Sequence, residues 1–367
     1  MENRPISICL IGGIYGKGDD YRSTVTTTPE TVLEAGLKAR NHRVVALGHR
    51  ASVDLRDIDI VHVHHLGIGA IKVASDTSPL PFVYTSHDGP AMAGLSNGMS
   101  QRLARQFVLS RADAVVALTN REAAFQRKMY DLRRAKHVII PNGIDTSVFR
   151  YGRKNRAGKG GPWELLYVGQ LIREKQVCVL MHAIALLPVN IQLTLVFQTD
   201  SLLESLKQLS KDLGIEQRVR FLGAKRPEEL NDIYQTSDLL VLPSSAESLP
   251  SVVSEAMVCG TPVVATDVGG IKDQISGYGR LVNPGDHTAL AEAIGSVLKN
   301  YSSFVARGEL MSRYARNRFS IETMVDQHIL LYRSLLEKKS APRRARLFQR
   351  PINITAHLAV SLLCKTS

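Results

Sequence analysis

Residues 238–275 read DLLVLPSSAESLPSVVSEAMVCGTPVVATDVGGIKDQI. The apolar run from Leu239 to Leu242, closed by Pro243, predicts a short buried strand. Ser244 to Pro250 is a polar turn. Ser251 to Cys259 reads as a helix with Ser251 as its expected N-cap, and Gly260 ends it. Pro262 to Ala265 is a second strand, after which Gly269-Gly270 opens a loop. A strand, turn, helix and strand in succession predict a parallel α/β sheet. Two carboxylates, Glu247 and Glu255, then flank a helix start at the carboxyl end of a strand. Open α/β sheets bind ligands there, and the unpaired N–H groups of a helix start attract phosphate.

The E-x7-E spacing of Glu247 and Glu255, with the EAMVCGTPVVATDVGG run around it, resembles the family 4 retaining glycosyltransferases. Two other segments carry the same resemblance. Tyr167 to Lys175 (YVGQLIREK) is similar to the family's VGRL…EKG segment, and Pro141-Asn-Gly-Ile-Asp145 with Phe149 to the segment that leads out of its first domain. The resemblance covers residues ~5 to ~337 and is most specific in the second half. It implies an α/β chain of the GT-B fold, with two Rossmann-like, doubly wound domains facing a central cleft.

Size and periodicity agree with two halves. A chain of 367 residues with 44% hydrophobic content exceeds one ordinary core. Strands are expected near residues 5–13, 43–47, 59–64, 81–85, 114–118 and 137–140, with a helix over 29–40. In the second half they are expected at 163–169, 191–197 and 219–222, with helices at 201–213 and 290–298. The resulting division is a first domain over 1–150, a Gly- and Lys-rich linker over 151–162, and a nucleotide-sugar-binding domain over 163–318. Residues 319–337 resemble the family's terminal helix, which crosses back to the first domain. Residues 338–367 form a basic tail, read as disordered or interfacial.

Transfer from a nucleotide sugar requires charge stabilisation at the leaving diphosphate, which basic side chains and helix N-termini supply. By resemblance, Lys175 contacts the diphosphate and Glu255 accepts from the ribose hydroxyls. Glu247 lies near the sugar and the reacting centre, and the N–H groups of Leu249, Ser251 and Val252 face sugar and phosphate. Gln170 stands where the family usually has arginine, and a neutral amide does not replace a bidentate cation. Arg173 is the nearby candidate to compensate. Gln198-Thr-Asp200 stands where a G-x-G turn is typical. In the first half, Gly12-Gly13 ends a strand, so Gly13 allows close backbone approach to phosphate. Residues 14–28 are either a lid or a surface loop. His87 resembles the histidine that faces the transferred sugar. His62 and His64 share one face of a VHVHH strand end, but no third ligand stands at motif spacing, and no metal is expected.

The net charge of +12 is uneven. Residues 101–137 carry +6 and residues 338–367 carry +7, leaving −1 elsewhere. Leu103, Phe107, Phe125, Met129 and Leu132 interleave with the first cluster, a pattern that suits an anionic membrane surface. No nucleic-acid motif accompanies the charge. With no signal peptide, no apolar run of spanning length and four scattered cysteines, a cytoplasmic protein is expected, peripheral at the inner membrane face.

The expected function is retaining transfer of a hexose from a UDP- or GDP-sugar, without cofactor or metal. The acceptor would be a glycan or a lipid-linked acceptor, in cell-surface polysaccharide synthesis. The alternative is a non-catalytic GT-B module that binds sugar or nucleotide, or partners an active enzyme. Gln170 favours that alternative, whereas Glu247, Glu255, Lys175 and His87 favour catalysis.

Overall fold

The computed structural model describes residues 4–17, 28–51, 55–76, 80–95, 98–132, 134–152 and 162–340. Most of the linker, the part of the glycine loop after Lys17, and the basic tail beyond Ser340 lie outside the described residues. The chain divides into two units. One runs to Gly143 and resumes at Ile321; the other is Ile144–Ser320.

The first unit is built on β1 (Ser7–Ile11), β2 (Arg43–Leu47), β3 (Ile60–His64), β4 (Phe82–Thr85), β5 (Ala114–Ala117) and β6 (Lys136–Ile139). All pairings are parallel, in the order β2-β1-β3-β4-β5-β6. Their near-continuous apolar runs reflect burial on both faces. One face packs around Cys9, Val63, Tyr84 and Val108. The other packs around Leu10, Leu33, Leu37, Val325 and Tyr332. The last two come from the terminal helix, Ile321–Ser340, which lies on the helix Pro29–Ala39. The two helices meet at Gly36, where an added Cβ would sit 2.4 Å from Val325 Cγ2. Phe319 ends the preceding helix, Gly308–Phe319.

The second unit carries β7 (Trp163–Val168), β8 (Ile191–Val196), β9 (Val219–Gly223), β10 (Leu239–Leu242), β11 (Val263–Thr266) and β12 (Arg280–Val282). Again all are parallel, in the order β12-β11-β10-β7-β8-β9. This is the doubly wound order, with the strand direction of travel reversing between β7 and β10. In the first unit the reversal falls between β1 and β3. Crevices open at such points beyond the strands' carboxyl ends. The sheets and their flanking helices establish two Rossmann-like domains.

Several details were not visible in sequence. The helices Ile68–Ser75 and Gly89–Met92 and the strand β12 are too short or too mixed to stand out. Ser251 is not the N-cap: it is the first helical residue, and Pro250 holds the cap position. Proline's fixed φ, −69° here, is pre-organised for that place, and the first turn closes through Val253 N–H to the Pro250 carbonyl at 3.2 Å.

Candidate functional site

At the second unit's crevice, β7 runs into Gly169-Gln170 and then a tight 3-10 turn, Arg173–Lys175. Beyond β10 comes the Ser244–Pro250 loop. Two bonds tie these segments together: Ser245 donates through N–H and Oγ to the Glu174 carbonyl, at 2.8 and 3.0 Å. Lys175 Nζ thereby reaches Glu247 Oε1 at 2.7 Å, and Ser244 Oγ donates to the same oxygen at 2.8 Å. Glu247 is buried while Lys175 is half-buried. Glu247 Oε2 takes no bond from the described residues. The Glu247 carbonyl also leaves no room opposite: a Cβ on Gly269 would lie 1.7 Å from it, and Gly269 has φ +51°. Gly269 is therefore required to close this loop.

Glu255 lies in the helix Ser251–Cys259, and Tyr234 OH donates to its Oε2 at 2.8 Å. Burial pushes its carboxyl up to about 7 against that bond. No side chain caps this helix, and the N–H groups of Leu249, Ser251 and Val252 take no acceptor among the described residues. The two glutamates thus flank an open helix start. Gln170 and Arg173 are exposed; the Gln170 carbonyl accepts from Tyr167 OH at 2.7 Å. The segment 198–200 has a place too: the Thr199 carbonyl accepts from Leu171 N–H at 2.8 Å and ties down the loop after β7.

In the first unit, the carboxyl ends of β1, β3 and β4 gather Gly13, His64, His65 and His87. Gly13 is right-handed, φ −62°, with nothing within 4 Å of a Cβ placed on it, so space rather than backbone strain is what it provides. His87 (φ +55°) follows Ser86 and precedes Asp88, both buried. Glu122 accepts from Asp88 N–H at 2.6 Å and Ser86 Oγ at 3.2 Å, while Arg105 Nε pairs with Asp88 Oδ1 at 3.1 Å. His62 is engaged on both nitrogens, Nδ1 with Tyr332 OH and Nε2 with Thr85 Oγ1, each at 2.7 Å. Among the described residues no cluster is arranged to hold a metal ion.

Ser244, Ser245, Tyr234 and Glu30 were not identified from sequence. The partners of Ser245, Tyr234 and Glu30 are distant in the chain, and although Ser244 bonds Glu247 only three residues on, no local pattern marks which serine will meet a glutamate. The interleaved apolar residues of 101–137 are also sorted only by the fold. Phe107, Phe125, Met129 and Leu132 pack against the core, and Arg105 turns inward. Leu103 remains exposed, as do Leu95 and Met99. No helix among the described residues is long and apolar enough to cross a membrane.

Residues 16–148 match the family described as Glycosyltransferase Family 4, and residues 152–318 match Glycosyl transferases group 1. D-inositol 3-phosphate glycosyltransferase of Corynebacterium urealyticum is 32% identical over 305 residues, which is 76% of this chain and 72% of that protein. The enzyme of the same name from Mycobacterium marinum is 32% identical over 312 residues, 79% of this chain and 66% of that protein. Among solved structures, sucrose-phosphate synthase of Thermosynechococcus elongatus superposes with TM-score 0.76 at 20% identity, covering 91% of this chain and 100% of that one. Anabaena HepE, solved with UDP-glucose, superposes at 0.70 and 20% identity, covering 89% of this chain and 99% of that one. Sequence relationship, the two family-model matches and the two doubly wound sheets agree: the chain belongs to the family 4 glycosyltransferases of GT-B fold.

Proposed function

We propose that this glycosyltransferase moves a hexose from a nucleotide sugar with retention of anomeric configuration, without a metal. The Lys175–Glu247 pair beside an uncapped helix start carries this reading, because it joins a cation, a carboxylate and free N–H donors at one crevice. Lys175 and the N–H groups of Ser251 and Val252 would neutralise the leaving diphosphate. Glu255 would accept from the two ribose hydroxyls, a task suited to a carboxylate. Glu247 would orient the sugar, and Leu249 N–H would face it. Family resemblance assigns His87 to the sugar as well.

A uridine nucleotide is the first donor to test, since a structural neighbour was solved with UDP-glucose. The curated relatives are named for D-inositol 3-phosphate, which makes that compound the first acceptor to test, ahead of a glycan or lipid-linked sugar. The second reading, a non-catalytic binder, rests on Gln170 being a neutral amide in the donor loop. Incubation with UDP-glucose and D-inositol 3-phosphate separates them. Wild type should release UDP and form product of retained configuration, and Glu247→Ala should lose transfer while melting as wild type does. UDP binding without turnover on any acceptor would favour the binder; equal turnover of Glu247→Ala would remove Glu247 from the mechanism.

A further inference from the structure

His64 is buried, 3% exposed, and burial holds its imidazole neutral, with a pKa lowered to about 3. Its Nδ1 lies 3.4 Å from His87 Nε2, and its own Nε2 is buried without a partner. A neutral imidazole has one N–H. Placing it on Nε2 would bury a donor with no acceptor. Placing it on Nδ1 leaves only a lone pair unmatched, the lesser cost because orphaned buried donors are the rarer defect. His64 therefore donates through Nδ1–H, and His87 accepts at Nε2. The single proton of a neutral His87 then sits on Nδ1, which takes no partner among the described residues. Desolvation, with His65 and His64 next to it, keeps His87 uncharged, its pKa well below the usual histidine value.

The ring plane is set from the other side. His65 stacks on His87, centroids 4.2 Å apart and planes 23° apart. His65 Nε2 lies 3.0 Å from Oε1 of the buried Glu30. Both His65 and His87 have left-handed backbones, φ +64° and +55°. Such conformations are strained for a residue with a side chain and persist where surroundings over-determine them. Here Glu122 and Arg105 clamp the residues on either side of His87.

We propose that His87 serves as a neutral hydrogen-bond donor through Nδ1–H, fixed in that tautomer by His64 and in its ring plane by the Glu30–His65 pair. The partner it fits is a hydroxyl or ether oxygen of the transferred sugar, and this rests on the assignment of His87 to the sugar. Glu30, His64 and His65 are positioning residues.

The tautomer is tested on the full-length chain without any substrate. Long-range imidazole correlations of protein labelled with ¹⁵N-histidine, with His87→Ala used for assignment, should show His87 protonated on Nδ1 at pH 7. In His64→Phe the signal should move to the Nε2–H form. A wild-type His87 that is Nε2–H or doubly protonated at pH 7 overturns the proposal. Function is tested with UDP-glucose and D-inositol 3-phosphate. His64→Phe and the isosteric Glu30→Gln should each lower kcat roughly ten- to a hundredfold, as misplaced catalytic groups do, with donor KM unchanged. Neither should lower it further in a His87→Ala background. Additive losses there would make both residues merely structural and overturn the proposal. If His87→Ala turns over like wild type, the donor role falls even where the tautomer is found. If wild type itself is inactive with this pair, the substrate assignment falls, and the tautomer measurement alone decides the inference.

Discussion

Lys175 and Glu247 form a half-screened ion pair, and on the proposed reading both partners have a second task. On that reading a diphosphate would draw Lys175 toward it, and the Ser244 bond would remain to hold Glu247. By the resemblance, Gln170 would leave this site one cation short of the family pattern. Gln170→Arg should tighten UDP binding about tenfold, the size of one charge-assisted hydrogen bond, as measured by calorimetry. Unchanged affinity would mean that residue 170 does not reach the phosphates. Glu255 gives a pH signature. Its carboxyl is raised to about 7 in the folded chain by burial. A raised acid favours the neutral form, so its contribution to stability is full below the unfolded pKa of about 4.3. That contribution is lost as pH climbs through 7. Wild type should therefore lose Tm relative to Glu255→Gln between those limits. Ribose hydroxyls donate to the ionised form, so UDP binding near pH 7 should release protons. Calorimetry in two buffers of different ionisation heat should detect the release in wild type and not in Glu255→Gln. Absence of release from wild type would take Glu255 away from the ribose.

At the scale of elements, the strands were legible and the connections only partly so. Leu239–Leu242 and Val263–Thr266 are apolar because parallel strands are covered on both faces, and that condition is written locally. The Ser251 cap was misjudged because a serine before a helical run looks the same whether it caps the helix or begins it. What closes the Glu247 loop is a contact between residues 22 apart in sequence, the Gly269 backbone against the Glu247 carbonyl. Gly269→Ala should cost about 2–4 kcal/mol, combining a left-handed φ with a clash that only backbone movement relieves. Gly13→Ala should change stability by no more than about 0.5 kcal/mol, since the site is right-handed and open. Denaturant titration distinguishes them; equal costs would show that Gly269 is not what closes the loop.

At the scale of the whole molecule, charge and chain path matter most. Leu95, Met99 and Leu103 are exposed before and along the first turns of the helix Met99–Arg111, where the basic region of the first unit begins. Of the apolar residues read as interleaved in 101–137, Leu103 is the exposed one, and it is joined in a smaller apolar edge by Met99, one helical turn before it, and by Leu95 earlier in the chain. On the reading that it meets an anionic membrane, full-length protein should co-sediment with phosphatidylglycerol vesicles at low salt. The variant Leu95→Ser/Met99→Ser/Leu103→Ser should bind more weakly, and both should dissociate as salt screens the charge. Binding that is negligible for wild type, or unaltered in the variant, would remove this edge from any membrane contact.

The sequence by itself determined the two α/β halves and the family, and put forward Glu247, Glu255, Lys175, Gln170 and His87 as candidates. All of these rest on short-range patterns: apolar runs, a glycine after a helix, carboxylates at a fixed spacing. Only the tertiary structure decided the partners: Ser244 and Lys175 on one oxygen of Glu247, Tyr234 on Glu255, and Glu30 and His64 around His87. Those pairings join residues that sheet topology brings together from 21 to 72 positions away, save for Ser244, three residues from Glu247. Hydrogen bonding needs atoms within about 3 Å of one another. Composition and spacing specify which groups are available; packing of the strands specifies which of them meet.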